Sequence, residues 1–197
     1  TIALANVVGK AVVKAGGDSW FFLTADYAFG HSLEKDTGEV VKANGGKVNG
    51  AVRHPLNATD FSSFLLQAQA WKAKVVGLAN AGGDTVNSIK AAAEFGITKN
   101  QNLAALLMLV TDVHALGLNT AQGLYLTEAW YWDMNDANRA WTKRWQAERG
   151  AAGKFPTMVQ AGVYSGLVHY FKTLDAMGGN PHDGAKVVAK MKEAPTD

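Results

Sequence analysis

A regular alternation of short apolar runs and longer amphipathic segments dominates this sequence from residue 20 to residue 127. Most of the short runs are continuously apolar, as expected for strands that are covered on both faces. The longer segments repeat apolar residues at the spacing of one helix face. The predicted strands are 20–24, 47–52, 75–79, 103–109 and 123–127.

Three amphipathic segments join these predicted strands. The second starts with the capping residues Thr59 and Asp60, and glycines mark the ends of the first and third, at Gly45-Gly46 and Gly96. A strand, a crossover helix and the next strand in this rhythm form a βαβ unit. The sequence therefore predicts an α/β fold with a doubly wound parallel sheet.

The rhythm stops after residue 128. Three helical segments follow, at 137–149, 157–177 and 183–192, with no convincing strand between them. We expect residues 130–135 to cross into another lobe whose own strands are not in this sequence. The chain opens at Thr1 within a predicted helix, Ile2–Lys14, which suggests a processed or truncated protein.

Composition narrows the possible classes of function. The 197 residues carry a net charge of +2 without long runs of one sign, which argues against nucleic-acid and membrane-surface binders. The chain has no cysteine, so disulfides, thiolate metal sites and a thiol nucleophile are excluded. No apolar run is long enough for a membrane helix, and no leader peptide is present.

Catalytic signatures are missing from the sequence. Neither glycine-rich phosphate-binding motif occurs, and Ser165 stands one place late in 162–166 for a nucleophile elbow. The histidines lack metal-site spacing. We therefore predict no enzyme activity, no cofactor and no metal site. The five histidines are His31, His54, His114, His169 and His182.

Polar and aromatic residues follow three of the predicted strands, where parallel sheets bind ligands. The segments are 26–31, 80–84 and 111–114. Several of these residues also have a plain structural explanation. Asp84 and Asp112 could be helix N-caps, Phe29 could belong to the core, and Gly82-Gly83 could serve only a turn. The candidate ligand contacts are Tyr27, Phe29, Asn80, Gly82, Asp84, Thr111, Asp112 and His114.

A second concentration of aromatic residues lies at 128–133, where the strand rhythm stops. Trp130 in this segment is a candidate ligand contact, and packing at a hinge is the alternative explanation. Trp141 and Trp145 are one helical turn apart, so we expect them to form one core-facing stripe.

Five segments together resemble one known family, the type I periplasmic binding proteins of the branched-chain amino acid class. They read SWFFLTADYAFGHSLE from Ser19, NGGKV from Asn44, DFSSF from Asp60, AAEFG from Ala92 and QGLYLTEAWYW from Gln122. The resemblance covers essentially the whole chain. It implies two doubly wound lobes that clamp a small ligand, with residues 1–128 as the second lobe and 129–197 as a hinge crossing and helices of the incomplete first lobe.

The resemblance also implies ligand contacts. Phe29 or Tyr27 matches an aromatic residue that covers the ligand, and Gly82 replaces an aromatic residue of the leucine binders. Residues 110–112 replace a stretch that supplies an acidic group for the ligand's ammonium. These departures argue against leucine-like solutes. The runs FFLTADYAFG from Phe21 and EAWYW from Glu128 are similar to members of the family that take aromatic carboxylates, which favours such a solute here.

The function implied by the resemblance is that of a passive solute-binding component of an ABC importer. We expect a periplasmic monomer that binds a small carboxylate, delivers it to a membrane permease, and neither binds nucleic acid nor inserts into the membrane. The alternative is a ligand-sensing domain of a receptor or regulator with the same fold.

Overall fold

Five parallel strands form one sheet in the computed structural model of this chain, which describes residues 2–179 and 182–194. The strand order is β2-β1-β3-β4-β5, and each neighbouring pair is parallel. The doubly wound α/β fold predicted from the sequence is thereby confirmed. The strands are β1 (Ser19–Ala25), β2 (Lys47–His54), β3 (Val75–Ala79), β4 (Asn102–Ala105) and β5 (Tyr125–Leu126).

Helices connect the strands, as parallel pairing requires. Predicted and observed bounds agree closely, because apolar periodicity and glycine stop signals are local properties of the sequence. Gly45 and Gly96 do adopt positive φ at the ends of their helices. The helices of this part are α1 (Ile2–Lys14), α2 (Ala28–Ala43), α3 (Ser62–Ala70), α4 (Gly83–Glu94), α5 (Val110–Leu116) and α6 (Leu118–Ala121), with a 3₁₀ turn at Ile97–Lys99.

Each face of the sheet carries its own apolar cluster. On one face, Trp20 and Phe22 of β1 pack with Val8 and Val12 of α1 and Leu33 of α2. On the other, side chains of β1 and β3 pack with α3 and α4. Because both faces are covered, every residue of β1 and β3 is buried, which explains their continuous apolar runs.

Three predicted elements differ from the structure. The fifth strand, expected at 123–127, is limited to Tyr125–Leu126. The fourth strand, expected at 103–109, ends at Ala105, and Val110 begins α5. An apolar run cannot by its periodicity separate a buried strand from the buried loop that follows it. The helix expected to start at Thr59-Asp60 starts at Ser62, although the Asp60 carboxylate does accept a hydrogen bond from the Ser62 N–H at 2.8 Å.

The chain divides into two compact units, Thr1–Ala129 and Trp130–Asp197. In the described residues of the second unit we find helices but no strand. Within residues 2–179 and 182–194, no helix is both long enough and apolar enough to cross a membrane. The helices of the second unit are α7 (Asp136–Glu148), α8 (Met158–Ala176) and α9 (Gly184–Glu193).

Candidate functional site

The strand order places a topological switch point at the carboxyl ends of β1 and β3, and a crevice is expected there. The chain moves from β1 to β2 on one side and then returns to β3 on the other, so the connections after β1 and β3 diverge to opposite faces. Open parallel sheets bind their ligands at such a switch point. The two connections here contain the candidate residues of segments 26–31 and 80–84.

Two aromatic rings stand together at the β1 side of this crevice. The ring centroids of Tyr27 and Phe29 are 5.9 Å apart, and both residues are half-buried. Phe29 also packs against the core cluster that contains Trp20 and Phe22, while part of its surface stays exposed. Beside them, His31 Nε2 lies 2.8 Å from a carboxylate oxygen of Asp26.

Neither helix at the switch point is capped by a side chain of its N-cap residue. Tyr27 precedes α2 and Gly82 precedes α4, and neither makes a side-chain capping bond. Phe61 at the start of α3 likewise makes no such bond, whereas Asn135, Thr157 and Asp183 cap the helices of the second unit. The first-turn N–H groups of a helix attract anions. An anionic ligand at the crevice would therefore meet two such helix ends.

Gly82 combines a backbone conformation reserved for glycine with open space. Its φ of 57° and ψ of −128° are unfavourable for any residue with a β-carbon. A β-carbon at Gly82 or at Gly83 would nevertheless meet nothing within 4 Å. The connection after β3 thus leaves space at the crevice where a larger residue would project.

Asn80, a predicted ligand contact, is completely buried. Its amide nitrogen lies 3.1 Å from His54 Nε2 and 3.2 Å from Ser88 Oγ, and its amide oxygen accepts from the Thr85 hydroxyl at 2.8 Å. Both N–H groups of the side chain are therefore engaged inside the protein. The Asn80 side chain therefore points into the protein, beneath the connection between β3 and α4, and its amide is not exposed at the crevice.

Asp84 is also largely buried and also faces inward. Its carboxylate accepts a hydrogen bond from the backbone N–H of Asn57 at 3.1 Å, and Asn57 has a positive φ of 56°. The contact joins the start of α4 to the connection after β2. Sequence reasoning offered a cap or a ligand contact for Asp84, and this third arrangement depends on a residue 27 positions away.

The third predicted segment, 111–114, lies within α5, which begins at Val110. Thr111 and His114 are exposed. The Asp112 carboxylate accepts from the Leu109 N–H at 2.8 Å and thereby caps the helix. Asp112 is therefore the third residue of α5 and not its N-cap, which is Leu109. The ligand contacts predicted for Thr111, Asp112 and His114 stay predictions.

Glu128 is a half-buried carboxyl group that sequence reasoning did not select. One carboxylate oxygen accepts from the Val110 N–H at 3.1 Å, and the other is buried without a hydrogen-bond partner. The pKa of Glu128 is raised to about 7, chiefly by burial and to a smaller extent by the charge of Asp112, against the opposing effect of the Val110 hydrogen bond. The sequence feature that could have identified Glu128 is its position as an acidic residue directly after the last predicted strand.

Trp130 belongs to the second unit, where its ring meets the Trp141 ring edge-on at a centroid distance of 5.3 Å. Trp141 in turn lies 5.2 Å from the Tyr164 ring, which joins α7 to α8. The packing role and the ligand contact proposed for Trp130 are both compatible with this arrangement.

Among the described residues, no cluster of three or more metal-ligating side chains occurs.

Solved structures resemble this chain over its whole length. A periplasmic binding protein from Burkholderia mallei is 60% identical, with a TM-score of 0.93, and the match covers 100% of this chain and 51% of that protein. A branched-chain amino acid ABC transporter periplasmic ligand-binding protein from Burkholderia xenovorans is 36% identical, with a TM-score of 0.83 and the same coverage. This chain thus spans about half the length of these relatives.

A more distant structure shares the fold. The solute-binding protein of an ABC transporter from Rhodopseudomonas palustris, solved with 3,4-dihydroxybenzoic acid, is 24% identical with a TM-score of 0.79, and the match covers 96% of this chain and 52% of that protein. No curated protein matches the chain. The family model described as periplasmic binding protein matches residues 1–197. The type I fold expected from the sequence is confirmed, and the chain belongs to the periplasmic binding protein family.

Proposed function

We propose that this chain forms one ligand-binding lobe, and part of a second, of the extracytoplasmic solute-binding component of an ABC importer. The observation that carries the proposal is the arrangement of residues at the switch point. It combines the Tyr27–Phe29 ring pair, open space above Gly82 and two helix N-termini without side-chain caps. Apolar faces and N–H groups of this kind suit a small carboxylate with an apolar body.

Such a protein works by binding alone. Two lobes close on the solute, exclude water and present the closed form to a membrane permease. Closing on the solute needs no covalent chemistry. We propose a periplasmic location on this basis, because the relatives are ABC transporter binding proteins. The monomeric state expected from the sequence stays a prediction. No observation favours the sensing domain that the sequence left as an alternative.

The second unit supports a division into two lobes. Along α8, four apolar side chains at four-residue intervals are each more than half exposed. An amphipathic helix ordinarily buries such a stripe against another element. We propose that the stripe packs on a sheet of the first lobe, within the half of the relatives' length that this chain does not span. The stripe consists of Val159, Val163, Leu167 and Phe171.

The solute is proposed to be an amino acid or an aromatic acid. Isothermal titration of the intact natural protein with leucine, benzoate, 4-hydroxybenzoate and 3,4-dihydroxybenzoate tests this. We expect at least one of these carboxylates to bind, and the uncharged analogue benzamide to bind far more weakly because it lacks the anion. Absence of binding by the whole panel would contradict the proposed solute class.

A further inference from the structure

Four fully buried polar side chains form one hydrogen-bonded cluster beneath the β3–α4 connection. They are Asn80, His54, Thr85 and Ser88, each with no exposed surface. They come from the end of β2, the residue after β3 and the first turns of α4. Polar groups buried this deeply are costly unless every one of them is paired, so their arrangement is strongly constrained.

The direction of each hydrogen bond in the cluster follows from its two ends. Ser88 Oγ lies 2.6 Å from the backbone carbonyl of Asp84, and His54 Nδ1 lies 2.9 Å from that of Pro55. A carbonyl can only accept, so Ser88 and the Nδ1 of His54 both donate outward. Towards Asn80, Ser88 Oγ and His54 Nε2 are therefore both acceptors in the neutral ring.

Asn80 fits between these two acceptors because one atom of its side chain carries two N–H groups. Its Nδ2 lies within 3.1 Å of His54 Nε2 and 3.2 Å of Ser88 Oγ, and its Oδ1 receives the Thr85 hydroxyl. A carboxylate of the same shape would place an acceptor against two acceptors. The cluster consequently selects an amide at position 80 and a neutral histidine at position 54.

We infer that Asn80 is a positioning residue, which joins the β3–α4 connection to His54 and so holds Gly82 and Gly83 in place at the crevice without contacting the solute. A second hydrogen bond, from the Asn57 N–H to the Asp84 carboxylate, joins the start of α4 to the connection between β2 and α3. The inference rests on the proposed function insofar as the crevice binds a solute. It replaces the ligand contact predicted for Asn80.

Asn80→Asp in the intact natural protein tests the inference, with Asn87→Asp as the matched control on an exposed position of α4. With Asp at position 80, His54 can satisfy both partners only as the doubly protonated ring. We expect ¹⁵N ring shifts to show the neutral Nδ1–H form in the wild type and the imidazolium form in Asn80→Asp at neutral pH. The backbone amide signals of Gly82 and Gly83 should shift in Asn80→Asp and stay unchanged in Asn87→Asp.

These signals need no solute, so they separate this inference from the proposed function. A wild-type ring with its proton on Nε2 would overturn the inference even if Asn80→Asp fails to fold. Unchanged signals of His54 or of the two glycines in a folded Asn80→Asp would also overturn it. With benzoate or leucine as the probe, whichever binds the wild type, we expect at least a tenfold loss of affinity in Asn80→Asp and none in Asn87→Asp. Equal affinities would contradict the positioning role.

Discussion

The backbone of Gly30 presses against the carbonyl group of Ala25, so that a β-carbon at position 30 would overlap the Ala25 oxygen. The same β-carbon would lie 3.1 Å from the carbonyl oxygen of Ala79. Gly30 is in the first turn of α2, and Ala25 and Ala79 end β1 and β3. This close approach seats the start of α2 directly on the switch point.

Gly30→Ala should therefore destabilise the protein, by about 1–3 kcal/mol or more, because backbone carbonyls cannot move aside as a flexible side chain can. Gly83→Ala is the matched control. It adds the same methyl group to the first turn of α4, where nothing lies within 4 Å. Urea denaturation of both variants measures the difference. Equal midpoints for the two variants would show that the close approach has no energetic consequence.

Glu128→Gln should change how stability depends on pH. The pKa of Glu128 is raised from its usual 4.5 to about 7, so the folded state binds more protons than the unfolded state between these values. The free energy of unfolding of the wild type therefore falls as pH rises through this window. Glutamine removes the ionisation, so the variant should gain about 1 kcal/mol relative to the wild type at pH 8, after allowance for solvent screening.

Urea denaturation at pH 5 and pH 8 checks this expectation. Glu39→Gln, at an exposed position on α2, is the control and should leave the pH dependence unchanged. If Glu128→Gln followed the wild-type pH dependence in parallel, the burial of the Glu128 carboxyl would not be affecting its ionisation.

Tyr27→Ala should weaken binding of the solute roughly tenfold or more, because the variant removes one ring of the pair at the crevice. Phe95→Ala is the control. It removes an aromatic residue that is 42% exposed at the carboxyl end of α4, away from the switch point, and it should leave the affinity unchanged. Isothermal titration with the carboxylate that binds the wild type gives both values. A similar loss in the two variants would count against the crevice as the binding site.

Leu167→Ala tests whether the apolar stripe of α8 is buried against another part of the intact natural protein. Leu167 is 51% exposed in this chain, so the variant should have little effect on the stability of residues 1–197 alone. In the intact natural protein, a buried leucine would lose about 2–5 kcal/mol on truncation. Asp175→Ala, at an exposed position on the same helix, is the control. Thermal unfolding of both lengths of protein gives the comparison, and an equally small effect in both would contradict burial of the stripe.

Local patterns predicted most of the fold. The apolar runs of β1 and β3 and the glycine stops after α2 and α4 depend on neighbouring residues, so their bounds agree with the structure. The run at 103–109 misled the strand prediction, because Leu106 and Met108 are buried although they follow the end of β4. Burial alone does not specify a strand.

The candidate site was predictable in its location and less so in its chemistry. The connections after β1 and β3 lie at the predicted edge because strand ends define that edge. Glu128 was missed, since its raised pKa comes from burial and from the charge of Asp112, neither of which the sequence displays.

The sequence by itself determined the alternating elements, the parallel sheet and the end of the strands at which the candidate residues lie, because each of these follows from periodicity along the chain. Tertiary structure alone decided which way the polar side chains at that edge face. Asn80 turns inward because His54 and Ser88, 26 positions before it and 8 after it, offer two acceptors in a buried space. Contacts between residues so far apart arise only when the sheet brings them together.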